Sequence, residues 1–421
     1  MTRLSRDIKP STALRSHDRR AWHVAGAPAS GAPPRSHRAS AAELITEIAD
    51  LEALIPEWDA LAPAASNPVA TPAWVLSWWH HVAGQDLQPR LVTVRDRGRL
   101  IGVGPFYVAS ERHGVVDYRL MGGDFGVRME PLALPGREWD VAVQFARALA
   151  SVWPRPDTIT FGPMALSSSW TTALRSGWPR VLRGPVRQFR IVGEPVAVLR
   201  EPTFEAWFSS LGPTTRRSLR REQRLFERAG GTIRWSTATT LRQDAETFAR
   251  LHRARWSDRG RSRLAALGDR LPDWVEALGK GLIDKDRFRL CVLELDGSPI
   301  CTDLHLLAGE ESIGVNMGWD ERYARLAPGK LATLHAVQDA YGRRCRRVSL
   351  GFGEQPYKLM FANGNHPVAW SVFMAPSLGL SYTYAHAFPG LLRERTRDVA
   401  ERTLPSRWFE ALRAVRRRIV A

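Results

Sequence analysis

Arg90-Leu91-Val92-Thr93-Val94, followed by Gly98 and Ile101, and Arg289-Leu290-Cys291-Val292-Leu293, followed by Gly297 and Ile300, are one pattern written twice, at a constant separation of 199 residues. Each copy alternates apolar residues on both sides of a turn that contains glycine, which reads as a β-hairpin. Helical patterns precede each hairpin, and further strand and helix patterns follow it. Two copies of one unit, in strand, helix, strand order after a hairpin, predict an α+β fold with mixed sheets.

Working outward, a chain of 421 residues is long enough for two domains that each bury a core. A composition of 44% hydrophobic and 24% charged residues, with sixteen tryptophans, is that of a packed protein. Sixty Lys and Arg against 43 Asp and Glu leave a formal charge of +17, which favours anionic partners. Only five of those cations are lysines (Lys9, Lys280, Lys285, Lys330 and Lys358), so the arginine excess is also compatible with a genomic base-composition bias. Cys291, Cys301 and Cys345 make no disulfide framework, and no Cys/His spacing marks a metal site. A cytoplasmic location is expected, because no apolar run is long enough to span a bilayer or serve as a signal-peptide core.

The expected layout is a disordered basic tail over 1-40, a first unit over 41-200, a second over 201-380 and a basic amphipathic helical tail over 381-421. In the first unit, Thr71-Pro72 opens a helix that carries Trp74 and Trp78 as core residues. The second unit opens with helices over 203 to 229, 241 to 256 and 270 to 280, and continues through a hairpin at 287 to 307. A strand at 312 to 317, a helix at 329 to 341 and strands near Val348 and over 368 to 373 complete it.

Four groups of residues carry candidate chemistry. Gly351-Phe352-Gly353-Glu354-Gln355-Pro356-Tyr357-Lys358 places two glycines before a carboxylate, a phenol and an ammonium. Asp303 and His305 share one face of a central strand, and Asn316 on the next strand is expected to join them. His252, Arg255 and Trp256 close a helix as a substrate-binding group. Arg325, Gly329 and Lys330 surround a helix N-terminus suited to a pyrophosphate.

These residues resemble the CelD-like cellulose-biosynthesis acetyltransferases, a branch of the GNAT acetyltransferase superfamily related to the FemAB peptidoglycan aminoacyltransferases. The resemblance spans roughly residues 42 to 375. It rests on Trp58 with Asn67-Pro68, Trp74 to Trp78, His252 to Trp256, Tyr323 to Gly329, and Gly351 to Lys358. It implies two tandem GNAT-like domains, acetyl coenzyme A or another acyl coenzyme A as co-substrate, and a hydroxyl or amine acceptor, small molecule or glycan, linked to exopolysaccharide or cellulose. Asp303 or Glu354 would be the base, Tyr357 the acid and Lys358 an orienting charge, with Arg325, Gly329 and Lys330 holding the donor and His252, Arg255, Trp256, His305 and Asn316 the acceptor.

The sequence departs from the superfamily at Pro328, which stands where a pyrophosphate loop would place its first glycine amide. Two alternatives stay open. One is a FemAB-like transferase that takes its acyl group from aminoacyl-tRNA, for which the face formed by Arg216, Arg217, Arg220, Arg221, Arg224 and Arg228 is suited. The other is a non-catalytic polysaccharide-assembly factor that meets an anionic membrane surface through the C-terminal tail.

Overall fold

The computed structural model describes residues 40–112, 115–123, 125–256 and 262–377. Apart from Ser40, both expected tails lie outside them.

The first half begins with strand β1 (Ser40–Ile45), helix α1 (Ile55–Ala64) and helix α2 (Pro72–His81). The Thr71 hydroxyl accepts from the Trp74 amide and caps α2, while Pro72 occupies its first turn. Strands β2 (Gln88–Asp96), β3 (Arg99–Arg112), β4 (Val115–Leu120) and β5 (Leu132–Ala133) follow. Helix α3 (Glu138–Ser151), strand β6 (Thr158–Ala165), helix α4 (Trp170–Gly177) and strands β7 (Val186–Val192) and β8 (Pro195–Val198) complete it.

The second half starts with helices α5 (Phe204–Ser210) and α6 (Pro213–Arg228), strand β9 (Gly231–Trp235) and helices α7 (Leu241–Trp256) and α8 (Leu271–Leu282). Strands β10 (Phe288–Leu295), β11 (Ser298–Ala308) and β12 (Glu311–Trp319) lead to helix α9 (Pro328–Gly342). Strand β13 (Arg347–Ser349), the short helix α10 (Pro356–Leu359) and strands β14 (Gly364–Asn365) and β15 (Val368–Met374) end the described chain.

The two hairpins match in detail. Arg97-Gly98 and Asp296-Gly297 all adopt positive φ, the conformation of a two-residue turn whose twist suits paired strands. Each hairpin also carries a bulge at the same place. Ile101 lies unpaired between Leu100 and Gly102, and Ile300 between Pro299 and Cys301. In each half an outer strand pairs antiparallel with the hairpin, and a helix then crosses over to a parallel strand. β4, α3 and β6 do this in the first half, and β12, α9 and β13 in the second.

The sheets run β1-β2-β3-β4-β6-β15-β7 and β14-β8-β13-β12-β11-β10-β9, and β5 pairs with β3. The halves therefore exchange strands. β8 precedes residue 200 yet lies in the second sheet, and β15, expected in the second unit, lies between β6 and β7 of the first. A cut at residue 200 does not separate the two sheets.

One apolar core joins the halves. Trp74 of α2 meets Trp274 of α8 edge-on at 5.3 Å, and Phe125 packs against both. Leu241, Ala245, Phe248 and Ala249 form the buried stripe of α7 that presses on β12 and α8. Trp58 and Trp78 are buried in the same core, Trp78 as the sequence pattern predicts.

Candidate active site

β12 and β13 pair in parallel only through Glu311–Ile313 and Arg347–Ser349. β12 continues to Trp319, whereas β13 stops at Ser349 and its chain turns away through Leu350 and Gly351. The strands part there and leave a wedge in the middle of the sheet. A bulge in the pairing of β12 with β11, at Val315, lies beside the opening, where it re-aims neighbouring groups. The equivalent place in the first half is filled by its own chain. The Met129 amide bonds the Pro163 carbonyl at 2.9 Å, and a Cβ on Gly162 would sit 2.8 Å from the Gly123 carbonyl oxygen.

The turn after β13 needs its glycines, since Gly351 and Gly353 adopt φ of +75° and +89°. That turn brings α10 back so that Lys358 points inward, 6% exposed, and its Nζ donates to the Phe352 carbonyl at 2.8 Å. Burial lowers the Lys358 pKa to about 8, against the partly compensating pull of Asp303 and Glu194. Burial and the Asp303 charge together raise the pKa of Tyr357, so its phenol stays protonated. Asp303 and His305 are both buried. Asp303 Oδ2 lies 3.3 Å from His305 Nε2, and His305 Nδ1 lies 3.2 Å from Ser312 Oγ. The structure thus gathers Asp303, His305, Tyr357 and Lys358 beside the wedge.

Other expected members stand elsewhere. Glu354 is exposed and accepts from Asn365 at 3.0 Å, so solvent and an amide engage it rather than the Asp303 group. Asn316 pairs opposite Leu304, which puts it on the face of the sheet away from Asp303, and its carbonyl accepts from the Met317 amide. His252 is fully buried, stacks on Phe248 and is hydrogen-bonded to Ser262 at 2.8 Å. It is a packing residue, and burial lowers its pKa to about 4. Arg255 pairs with Glu321 and lies 4.4 Å over the Trp319 ring, while Trp256 donates to the Met317 carbonyl at 3.0 Å. Both tie the end of α7 to β12 and its following turn.

At the expected pyrophosphate loop, Arg325 is exposed. Lys330 is already committed, donating at 2.8 Å to buried Glu222 of α6. Gly329 lets the start of α9 settle on β12, because a Cβ there would approach Met317 Sδ to 2.9 Å.

Sequence reading missed Glu194 and Arg128. Glu194, in the link between β7 and β8, accepts from Ser349 Oγ at 2.6 Å and acts on the Lys358 charge. Burial raises its pKa, and Arg128 draws it back. Arg128 reaches over from the first half to Glu194 and Glu311, and Arg347 holds the other Glu311 oxygen at 2.5 Å. Burial works against the Arg128 charge, but Glu311, Glu194 and Glu130 outweigh it and hold its pKa above the ordinary arginine value. An acidic residue between two short strands has no periodic signature, so only tertiary structure shows this group.

Residues 213–359, which supply both sides of the wedge, match the family described as an acetyltransferase (GNAT) domain. No curated protein sequence matches the chain. Among solved structures, the chain is similar to FemX, at 10% identity and a TM-score of 0.55, over 79% of this chain and 97% of that one. It is also similar to a conserved protein of unknown function from Bacteroides thetaiotaomicron, at 9% identity and a TM-score of 0.50, over 79% of this chain and 99% of that one. A domain assigned to a lysylphosphatidylglycerol synthetase of Agrobacterium fabrum aligns at 10% identity and a TM-score of 0.50, over 79% of this chain and 95% of that one. At these identities the likeness is one of fold. The second half of the chain therefore contains the stretch that matches a GNAT acetyltransferase domain, within a fold of two related α+β units.

Proposed function

We propose that the chain transfers an acyl group from a coenzyme A thioester to an amine or hydroxyl on an acceptor linked to exopolysaccharide, cellulose or another envelope polymer. The observation that carries this reading is the wedge between β12 and β13, bordered by Asp303, Tyr357 and Lys358 and lying within the stretch that matches the acetyltransferase family. The acceptor gives its proton to Asp303, whose other neighbour is His305, and its lone pair attacks the thioester carbonyl. The carbon–sulfur bond then breaks, and the Tyr357 hydroxyl supplies the proton that the leaving thiolate takes up. Lys358 offsets the negative charge that develops on the carbonyl oxygen. Acetyl coenzyme A is the expected donor, and the link to envelope polymer rests on the sequence resemblance.

Coenzyme A release, followed with a thiol reagent, tests the assignment. Tyr357→Phe and Asp303→Asn are each expected to lower turnover by about 10²-fold or more. Undiminished release in both would remove these roles.

One observation favours a second reading, in which aminoacyl-tRNA is the donor. Arg217, Arg220, Arg221, Arg224 and Arg228 form an exposed stripe along α6, and none has an ion-pair partner among the described residues. Turnover with aminoacyl-tRNA and none with acyl coenzyme A would select this reading over the first.

A further inference from the structure

β7 is the outermost strand of the first sheet, and no described strand pairs along its free side. Free strand sides are usually short, charged or covered. This one is Val186-Arg187-Gln188-Phe189-Arg190-Ile191-Val192, with residues 187 to 191 all exposed. Phe189 is 60% exposed and Ile191 56%, and Val181 in the turn before the strand is 87% exposed, beside exposed Arg180. From Thr158 to Gly193 the sequence contains five arginines and no acidic residue. None of the five has an ion-pair partner among the described residues, and Arg190 lies over the Trp370 ring at 4.3 Å. Large apolar groups held in water among uncompensated guanidinium groups mark a contact surface rather than a solvated face.

We infer that this strand and the turn before it form a docking surface for an anionic lipid bilayer. The arginines meet the headgroup charge, and Val181, Phe189 and Ile191 enter the boundary between headgroups and acyl chains. Three other occupants fit less well. A second copy paired antiparallel on β7 would bring the Arg187 and Arg190 side chains of both copies onto one ladder. A nucleic acid would satisfy the arginines but leave the apolar side chains without a partner. The chain's own continuation after Ser377 is arginine-rich in sequence and would oppose the same charge. That continuation nonetheless departs close by, since the Met374 amide bonds the Pro185 carbonyl at 3.0 Å just ahead of β7. The surface is independent of the wedge and does not depend on which acyl donor the chain uses.

Sedimentation of the full chain with vesicles tests the inference. The chain is expected to bind phosphatidylcholine vesicles that contain about a third phosphatidylglycerol, and not pure phosphatidylcholine. Both Arg187→Glu/Arg190→Glu and Phe189→Ser/Ile191→Ser should weaken binding by about tenfold or more. A second measurement holds if a variant folds poorly. The three native cysteines are buried, so a polarity-sensitive thiol dye on Phe189→Cys should shift to the blue with anionic vesicles and not with neutral ones. An unshifted dye, binding unaltered by either double variant, or occupation of this strand by RNA or a second copy with no vesicle binding would each overturn the proposal.

Discussion

Lys358 Nζ donates to the carbonyl oxygen of Phe352 at 2.8 Å, closing the turn that runs from Gly351 to α10. The bond holds an ammonium inside the sheet although burial disfavours its charge. A lysine kept in that position at such a cost does not stabilise the fold, and it stands where the proposed transfer needs a positive charge.

That cost is measurable against pH. In the folded chain the Lys358 proton leaves near pH 8, whereas an unfolded lysine holds its proton to about 10.5. Between those values the unfolded chain binds more protons, so this group makes the fold more stable as pH rises through the window. Lys358→Met should therefore gain on the order of 3 kcal/mol over wild type at pH 7, less the lost hydrogen bond, and the difference should shrink by pH 10. Urea midpoints at both pH values check this. A difference that stays constant would mean that Lys358 titrates normally.

Arg128 offers a second test. Its removal leaves Glu194 and Glu311 buried with less positive charge, and Arg128→Met is expected to cost about 3–5 kcal/mol. Adding Glu194→Gln should recover part of that loss. Thermal melts of the two variants would show the recovery, and simple addition of their costs would mean that the groups are not coupled.

His252 gives an acid limb. Its folded pKa of about 4 lies below the ordinary 6.5, so an unfolded chain takes up this proton first. Stability is lost as pH falls from about 6.5 to about 4, by on the order of 3 kcal/mol in all. In His252→Gln this contribution should be absent, which urea midpoints at pH 7 and pH 4.5 would reveal.

Gly318 tests the packing of α7 on β12. A Cβ there would lie 2.4 Å from the His252 amide nitrogen and 2.6 Å from the Leu251 carbonyl carbon, and backbone atoms cannot rotate aside. Gly318→Ala should cost roughly 1–3 kcal/mol or more. Gly84→Ala, with open space around it, should leave the melting temperature nearly unchanged.

Much of the fold was legible wherever local chemistry and tertiary structure agree. The hairpins announced themselves by alternation and turn glycines, and the expected helix over 241 to 256 matches α7 end to end. β7, β8 and α4 went unrecognised. β7 is exposed and studded with arginine, and β8 has four residues, so neither shows a usable period. Periodicity also says nothing about which sheet a strand joins, and the exchange of β8 and β15 was invisible for that reason. Within the site, residue type picks out Tyr357 and Lys358 after the end of a strand and Asp303 as a polar residue inside a central one. Asn316 was placed on the wrong face because its side is set by pairing with Leu304, across an irregular register that alternation along one strand does not reveal. Arg128 and Glu194 act across the two halves, and nothing near them in sequence points to the wedge.

The traded strands bear on how such a chain can be made and how it can change. A fragment ending near residue 194 would lack the segment that separates β6 from β7, and one starting there would keep β8 but surrender β15 to no host. Each duplicate is thus completed by a piece encoded with its sibling, so neither can be discarded, swapped out or produced alone without opening a slot in the survivor. The earlier half closes its own gap with chain, at Met129 and Gly162, while the later one keeps its gap open.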